Sequence, residues 1–349
     1  MSLLEELLRR FPRLAKLPPP AYVVGGAVRD LVRGSDPADV DVATLDPHAA
    51  AATIGRKIIT LGGAEHLRAY RVVDREHIYD FADILDGDID VDLARRDFTV
   101  NAMAVDLADG ALLDPHGGQR DLAARNVRMV RASNFDDDPL RMLKGVRMAV
   151  RLDFDIDRET LATIRARAAQ ITSVAAERVT YELSLIFSAN RFARAVALLH
   201  ETGLDAPLGL TTREFAVDEV SYAGALALLV RDPKPYAEEW RWSESLLRDV
   251  LALQRLVDAH APIDLYDAGE SVARQLPAVQ RALGREPVAI DDRLFAIQPL
   301  LTGNEIAALL AIDPGPRVGS VKRALVEAQV RGDVTTREAA EQFVSAARP

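Results

Sequence analysis

Two aspartates separated by a single residue, Asp39 and Asp41, follow a double glycine in the run Val23-Val24-Gly25-Gly26-Ala27-Val28-Arg29-Asp30. An apolar strand that ends in Gly25-Gly26 and gives way to a helix lets the backbone pass close to a ligand. The first helical turn then offers unpaired N–H groups to phosphate oxygens, and Arg29 adds a charged donor one turn in. In Asp39-Val40-Asp41 the side chains of a strand alternate, so both carboxylates share one face while Val40 packs behind. Two such charges repel unless divalent cations bridge them. Mg²⁺ prefers oxygen ligands of this kind, with substrate phosphates completing its shell. The spacing therefore points to phosphate and metal together. A dinucleotide fold would instead show G-x-G-x-x-G and one acid ~20 residues on.

Two further constellations carry chemistry. In Arg95-Arg96-Asp97-Phe98-Thr99-Val100-Asn101-Ala102, Arg96 beside Asp97 and Asn101 suits a triphosphate and its ribose hydroxyls. A helix cap by Asp97 or Thr99 accounts for the same residues equally well. In Asp136-Asp137-Asp138-Pro139-Leu140-Arg141, continuing to Lys144 and Arg147, three acids precede a helix and favour its dipole, with Pro139 in the first turn. Asp138 and Arg141, three apart, are expected on one face. A carboxylate and a guanidinium fixed there read a base: one accepts from the exocyclic amino group of cytosine or adenine, the other donates to the ring nitrogen. Uracil and guanine present a carbonyl instead, leaving buried groups unpaired at a cost of ~1–3 kcal/mol each.

The elements that must position these residues divide the chain. Ala21–Val24, Val40–Thr44, Ile78–Ile84, Ala102–Leu107 and Val127–Val130 read as strands, with helices at Ala27–Val32 and Pro47–Ile59. This is an α/β unit with a mixed sheet. Beyond residue 136 the strand signals stop. Leu140–Arg151, Arg158–Ala169, Glu177–Phe187, Phe192–Glu201, Ala223–Val230 and Glu238–Ala259 carry helical periodicity. The expected division is an α/β unit over 1–132, a helical segment over 133–205, and a further helical stretch over 206–349.

Composition narrows the classes further. The 349 residues include no cysteine, which excludes a disulfide framework, thiolate metal ligands and a cysteine nucleophile. No apolar run approaches the ~18 residues of a membrane span, and the start reads as an amphipathic helix, so a cytoplasmic enzyme is expected. No histidine precedes an aspartate, which sets aside an HD-type phosphohydrolase. A net charge of −10 argues, taken as a whole, against a nucleic-acid partner. Yet residues 101–200 carry 14 basic and 13 acidic residues, nearly balanced. Net charge describes solubility, while its local distribution describes the partner.

In this order the motifs VVGGAVRDLVRG with DVD, DLARRDFTVNAMA, LLDPHGGQRDL, DDDPLRMLKGVRMA and ERVTYEL resemble the class II tRNA nucleotidyltransferase and bacterial poly(A) polymerase family, members of the polymerase-β-like nucleotidyltransferases. The match covers roughly residues 20–205 well and is weaker near the C-terminus, in LLTGNEIAALL and DPGPRVGSVKRAL. The resemblance implies a head, neck, body and tail, with the helical body and tail holding the tRNA acceptor arm. It implies two Mg²⁺ ions on Asp39 and Asp41, and triphosphate and ribose contacts from Gly25, Gly26, Arg29 and Arg96. Asp138 and Arg141 would choose CTP and ATP without a nucleic-acid template, with Lys144 and Arg147 further along the helix. Asp80 is the matching third carboxylate, with Asp83 a rival on the same edge.

Departures from the family qualify the substrate. The family usually has arginine where Lys144 stands, and Glu where Asp137 stands. Only 53 residues separate Asp41 from Arg95. In the family a flexible Arg/Pro-containing loop precedes the RRDFT motif and helps the switch from C to A. Here Ile84–Asp92 runs almost straight into it, which resembles enzymes that add only two cytidines. The alternatives are a poly(A) polymerase, which a strongly basic extension would favour and this sequence does not carry, and a non-catalytic RNA-binding relative, which would have lost the carboxylates.

Overall fold

The computed structural model describes residues 2–61, 69–74 and 77–347. They form two compact units, one of residues 1–189 with 197–208, the other of 190–196 with 209–349. Among the described residues no helix is long and apolar enough to cross a membrane.

The first unit opens with α1 (Leu3–Arg10), capped by Ser2, and its sheet is then laid down by seven strands. These are β1 (Ala21–Val24), β2 (Asp39–Thr44), β3 (Ile58–Leu61), β4 (Ala69–Val73), β5 (Ile78–Asp83), β6 (Ala104–Asp106) and β7 (Leu112–Leu113). Their order is β3-β4-β5-β2-β1-β6-β7; β2 and β5 are parallel and the remaining pairs antiparallel. The mixed α/β head is as expected from the strand pattern. Helices α2 (Gly26–Val32), α3 (Pro47–Ile54), α4 (Ile89–Ala94) and α5 (Gly118–Ala123) join the strands. Along β2 the residues alternate, Val40 and Val42 buried and Asp39 and Asp41 exposed, so the hydrophobic core on one side fixes which way the carboxylates point.

Several boundaries differ from the sequence reading. The strand expected over Val127–Val130 is the two-residue Asn126–Val127, with Met129 in an isolated bridge to Phe98, and its partner strand Asp155–Ile156 lies beyond residue 136, where no strand was expected. The helix expected over Pro47–Ile59 stops at Ile54, where Gly55 is the cap and donates its N–H to the Ala51 carbonyl. The β-branched run Ile58-Ile59-Thr60 goes instead into β3, pairing with β4. Both strands, and β7, escaped the pattern because each is short and only partly buried.

The short strands β8 (Asn126–Val127) and β9 (Asp155–Ile156) pair in parallel, with helices α6 (Ser133–Asp137) and α7 (Leu140–Leu152) between them in the chain. Helices α8 (Arg158–Arg167) and α9 (Ala176–Phe187) follow, and α10 (Phe192–Glu201) has its first residues in the second unit and its last in the first. Helix α7 buries Leu140, Leu143, Val146 and Val150 on one face and leaves Arg141, Lys144 and Arg147 half-exposed, at a spacing of three, on the other. Its Gly145 lies against Phe98, which is fully buried. A Cβ built at Gly145 would sit 2.7 Å from the Phe98 ring. Gly145→Ala is expected to cost ~1–3 kcal/mol through overpacking. Thermal melting should fall by several degrees in the variant; an unchanged melting temperature would contradict this close packing.

The second unit is all-helical, from α11 (Tyr222–Leu229), α12 (Pro233–Glu239) and α13 (Glu244–Asp258) through α14 (Pro262–Ala268), α15 (Glu270–Ala273) and α16 (Leu276–Ala282) to α17 (Gly303–Leu310), α18 (Pro316–Arg331) and α19 (Arg337–Ala346). The expected single helix over Glu238–Ala259 is two. Trp240 is buried beside Tyr236, Arg241 takes a left-handed φ of 51°, and Ser243 caps a new start by accepting from the Leu246 N–H. The last three helices share a core built on Leu301, Ile306, Leu325 and Val344.

Candidate active site

The site is assembled on the exposed face of β2. Asp41 lies opposite Val24 on β1 and opposite Asp80 on β5, so Asp41 and Asp80 share a register and a face. β1 ends at Gly25, whose φ of 75° is a conformation that L side chains avoid. The space is also closed. A Cβ at Gly25 would lie 2.8 Å from Arg96 Nη1 and 3.5 Å from Asp41 Oδ2. The glycine, the Arg96 guanidinium and the Asp41 carboxylate therefore meet at one point.

Electrostatics at that point are tense. The Asp41 carboxyl is pushed up to about 6. Desolvation by the residues packed around it is the main cause, the charges of Asp80 and Asp39 add to it, and Arg96 and Arg71 oppose it. The residue is nonetheless open to solvent on its outer side. Among the described residues, neither Asp39 nor Asp41 accepts a side-chain hydrogen bond or ion pair. Two unpaired carboxylates on one strand face, beside the Gly25 turn and the Arg96 guanidinium, are an oxygen donor set that fits Mg²⁺.

Asp80 has a different surrounding from that expected of a third ligand. Its two oxygens accept a bidentate pair from Arg71, 2.7 Å from Nε and 2.6 Å from Nη2, directly across on β4. Among the described residues no three carboxylate or histidine groups come together as a metal cluster. Asp83 leaves the contest for a simpler reason: three residues after Asp80 on the same strand, it points to the other side of the sheet, where its neighbour is Asp46. Arg71 was not legible from sequence, because the strand carrying it was not.

The RRDFT segment forms a network in which capping is only one part. Arg29 clasps Asp30 and donates from Nη1 to Asn101 Oδ1 at 2.8 Å. Asn101 Nδ2 donates onward to Asp97 at 3.1 Å, and Asp97 also accepts from the Phe98 N–H. Arg96 is steadied by Asp92 on α4. Thr99 turns inward and donates to the buried Asp121, which Arg128 neutralises. Arg29, Arg96, Asp97 and Asn101 thus stand together near Gly25, Gly26 and Asp41.

Asp138 and Arg141 are adjacent but not on one helical face, as the spacing suggested. Asp138 is extended and precedes α7; its carbonyl accepts the Arg141 N–H, 3.0 Å. Its carboxylate accepts from Arg178 on α9 at 3.0 Å. Arg141 donates to the backbone carbonyls of Arg95 and Asn134, at 2.8 and 3.2 Å. The pair is therefore held from two sides, by the ERVTYEL helix and by the RRDFT segment. Further along α7, Arg147 is paired with the buried Glu182 at 2.7 Å, and Lys144 remains half-exposed. Arg178 lay within a quoted motif without an assigned role; its separation of 40 residues from Asp138 gave no local signal.

Comparison with known proteins bears on this arrangement. A family described as the poly(A) polymerase head domain matches residues 21–85 and 74–128, and one described as a probable RNA and SrmB-binding site of polymerase A matches residues 153–208. The chain is 33% identical to a protein of Deinococcus radiodurans named A-adding tRNA nucleotidyltransferase, over 97% of this chain and 98% of that one. It is 28% identical to the CC-adding tRNA nucleotidyltransferase of Synechocystis sp., with 97% of each chain covered. Among solved structures, the Bacillus stearothermophilus CCA-adding enzyme in complex with CTP superposes with a TM-score of 0.78 at 26% identity, covering 99% of this chain and 98% of that one.

Proposed function

Because the chain belongs to the tRNA nucleotidyltransferase and poly(A) polymerase family, we propose that it is the enzyme that extends the 3′ end of tRNA with cytidylate from CTP. The 3′-hydroxyl oxygen attacks the α-phosphorus of the nucleotide. The bond to the β-phosphate oxygen breaks, pyrophosphate leaves, and the hydroxyl proton is released. The observation that carries this reading is the meeting of Gly25, Arg96 and Asp41 at the edge of β2, beside an unpaired Asp39.

Asp39 and Asp41 are the residues that would hold magnesium. The metal would supply charge neutralisation at the phosphates and a lowered pKa for the attacking hydroxyl. Arg29 and Arg96 bind phosphate and ribose oxygens, and Asn101 and Asp97 keep Arg29 in line. Asp138 and Arg141 accept from and donate to the base edge, while Arg178 and the Arg95 carbonyl fix their positions. Asp80, clasped by Arg71, supports the carboxylate face without being a ligand. The partner is the tRNA acceptor arm, reached in the cytoplasm.

Addition stops after two cytidylates in this reading. From the end of β5 to Arg95 the chain makes only a tight turn at Leu85–Gly87 and the six residues of α4. No flexible segment is left there to reshape the site for ATP. A second reading, addition of the terminal adenylate, is favoured by the 33% identity to the A-adding relative. The test is tRNA ending before its CCA, given CTP and ATP together. A product two nucleotides longer is expected; efficient formation of the three-nucleotide product would overturn the restriction to cytidylate.

A further inference from the structure

The cleft between α2 and α7 holds two cations that the groups assigned above do not use. It encloses about 550 Å³ and is lined by Arg29, Arg33, Asp39, Arg147 and Arg151 among others. Most of its charges are already matched. Arg29 is paired with Asp30, Arg147 with Glu182, and the nearby Asp36 with Arg10. Asp39 is kept for the metal. Among the described residues, Arg33 and Arg151 have no carboxylate partner, and both are exposed.

Their placement is regular. Arg33 follows Arg29 by one turn at the end of α2, and Arg151 follows Arg147 by one turn on α7. The Arg33 guanidinium lies 5.5 Å from the centroid of the Phe154 ring, just past the end of α7, which holds it against the segment that carries Arg151. Two uncompensated guanidinium groups in one cleft repel, and an anion relieves the repulsion. Arginine forks fit phosphate oxygens in particular.

Position along β2 distinguishes one phosphate from another. Gly25 and Arg96 gather on Asp41, where the triphosphate is assigned. Arg33 and Arg151 share their cleft with Asp39, two residues and ~7 Å away along the strand, and Arg29 and Asn101 line the same cleft between them and the triphosphate groups. We infer that Arg33 and Arg151 bind the sugar-phosphate backbone of the RNA primer next to its reacting 3′ end. Primer and nucleotide then approach from opposite sides of the two carboxylates. This assignment rests on the tRNA-extending reading above and names a subsite within it.

The double variant Arg33→Ala/Arg151→Ala tests it, because both side chains are exposed and their loss leaves the core intact. Binding of tRNA lacking its CCA end is measured by gel shift over a range of salt, alongside the KM for CTP. The variant is expected to bind tRNA ~10-fold more weakly at low salt. The slope of log affinity against log salt should be shallower by ~1.4, two contacts at ~0.7 each on a single strand. The KM for CTP should stay at the wild-type value, and Arg33→Lys/Arg151→Lys should recover most of the salt slope. Unchanged tRNA affinity and slope would overturn the assignment. A raised KM for CTP with unchanged tRNA affinity would also overturn it, giving the arginines to the triphosphate. Failure of the wild-type protein itself to bind tRNA would overturn the functional reading, and this subsite with it.

Discussion

Asp41→Ala lowers kcat/KM for cytidylate incorporation by about 10³-fold or more while the protein stays folded. The magnitude follows from what the residue is asked to supply. A bound metal contributes several kcal/mol of transition-state stabilisation, and each 1.36 kcal/mol is a factor of ten in rate. Losing one of only two unpaired carboxylates on the β2 face removes most of that. Folding is spared for a reason equally visible in the site. The carboxylate is exposed, accepts no side-chain hydrogen bond among the described residues, and is burdened by desolvation and by the like charges of Asp80 and Asp39. Its removal relieves repulsion, so melting at neutral pH should be unchanged or higher. Asp39→Ala should behave alike. Asp80→Ala should cost clearly less activity, because that carboxylate is occupied by Arg71. Incorporation rates and thermal melts of the three variants side by side provide the check. Near-equal losses for Asp80 and Asp41 would return Asp80 to the metal shell.

Asp138→Ala is expected to act chiefly on the choice of nucleotide. With the carboxylate gone, nothing accepts from the amino group of cytosine, and nothing is left unpaired by the carbonyl of uracil. At ~1–3 kcal/mol for that mismatch, the ratio of kcat/KM for CTP over UTP should drop by ~10–100-fold. tRNA affinity should hold. Arg141→Ala is expected to do more damage for the same lost contact, because Arg141 also ties α7 to the Arg95 carbonyl. Steady-state kinetics with each nucleotide separates the two, and a CTP preference that survives in Asp138→Ala would remove the residue from base reading.

How far these residues could be read in advance depended on the range of their interactions. The Gly-Gly turn, the alternation of Asp39 and Asp41, and the amphipathic α7 are local patterns, and local sterics and burial determine them. That legibility extended to the mixed sheet of the head and to the helical second half. What escaped was non-local or weakly patterned. Strand β4 is only partly buried, so Arg71, and with it the clasp on Asp80, left no trace in the hydrophobic pattern. Arg178 reaches Asp138 across 40 residues. Asp138 looked like a helical partner of Arg141 at a spacing of three, but the turn at Pro139 holds it in an extended conformation. Charge misled at the level of the whole chain. The acids include Asp39, Asp41 and Asp138, to which the proposed function gives metal and base, and the cations at the cleft stand on two particular helices.

The central claim, that this cleft transfers cytidylate to tRNA, is tested most directly by a product gel. tRNA ending before its CCA is incubated with Mg²⁺ and each of the four nucleoside triphosphates in turn. Two added cytidylates with CTP alone, and no extension with UTP or GTP, is the predicted result. A long adenylate tract with ATP, or no extension with CTP, would contradict it.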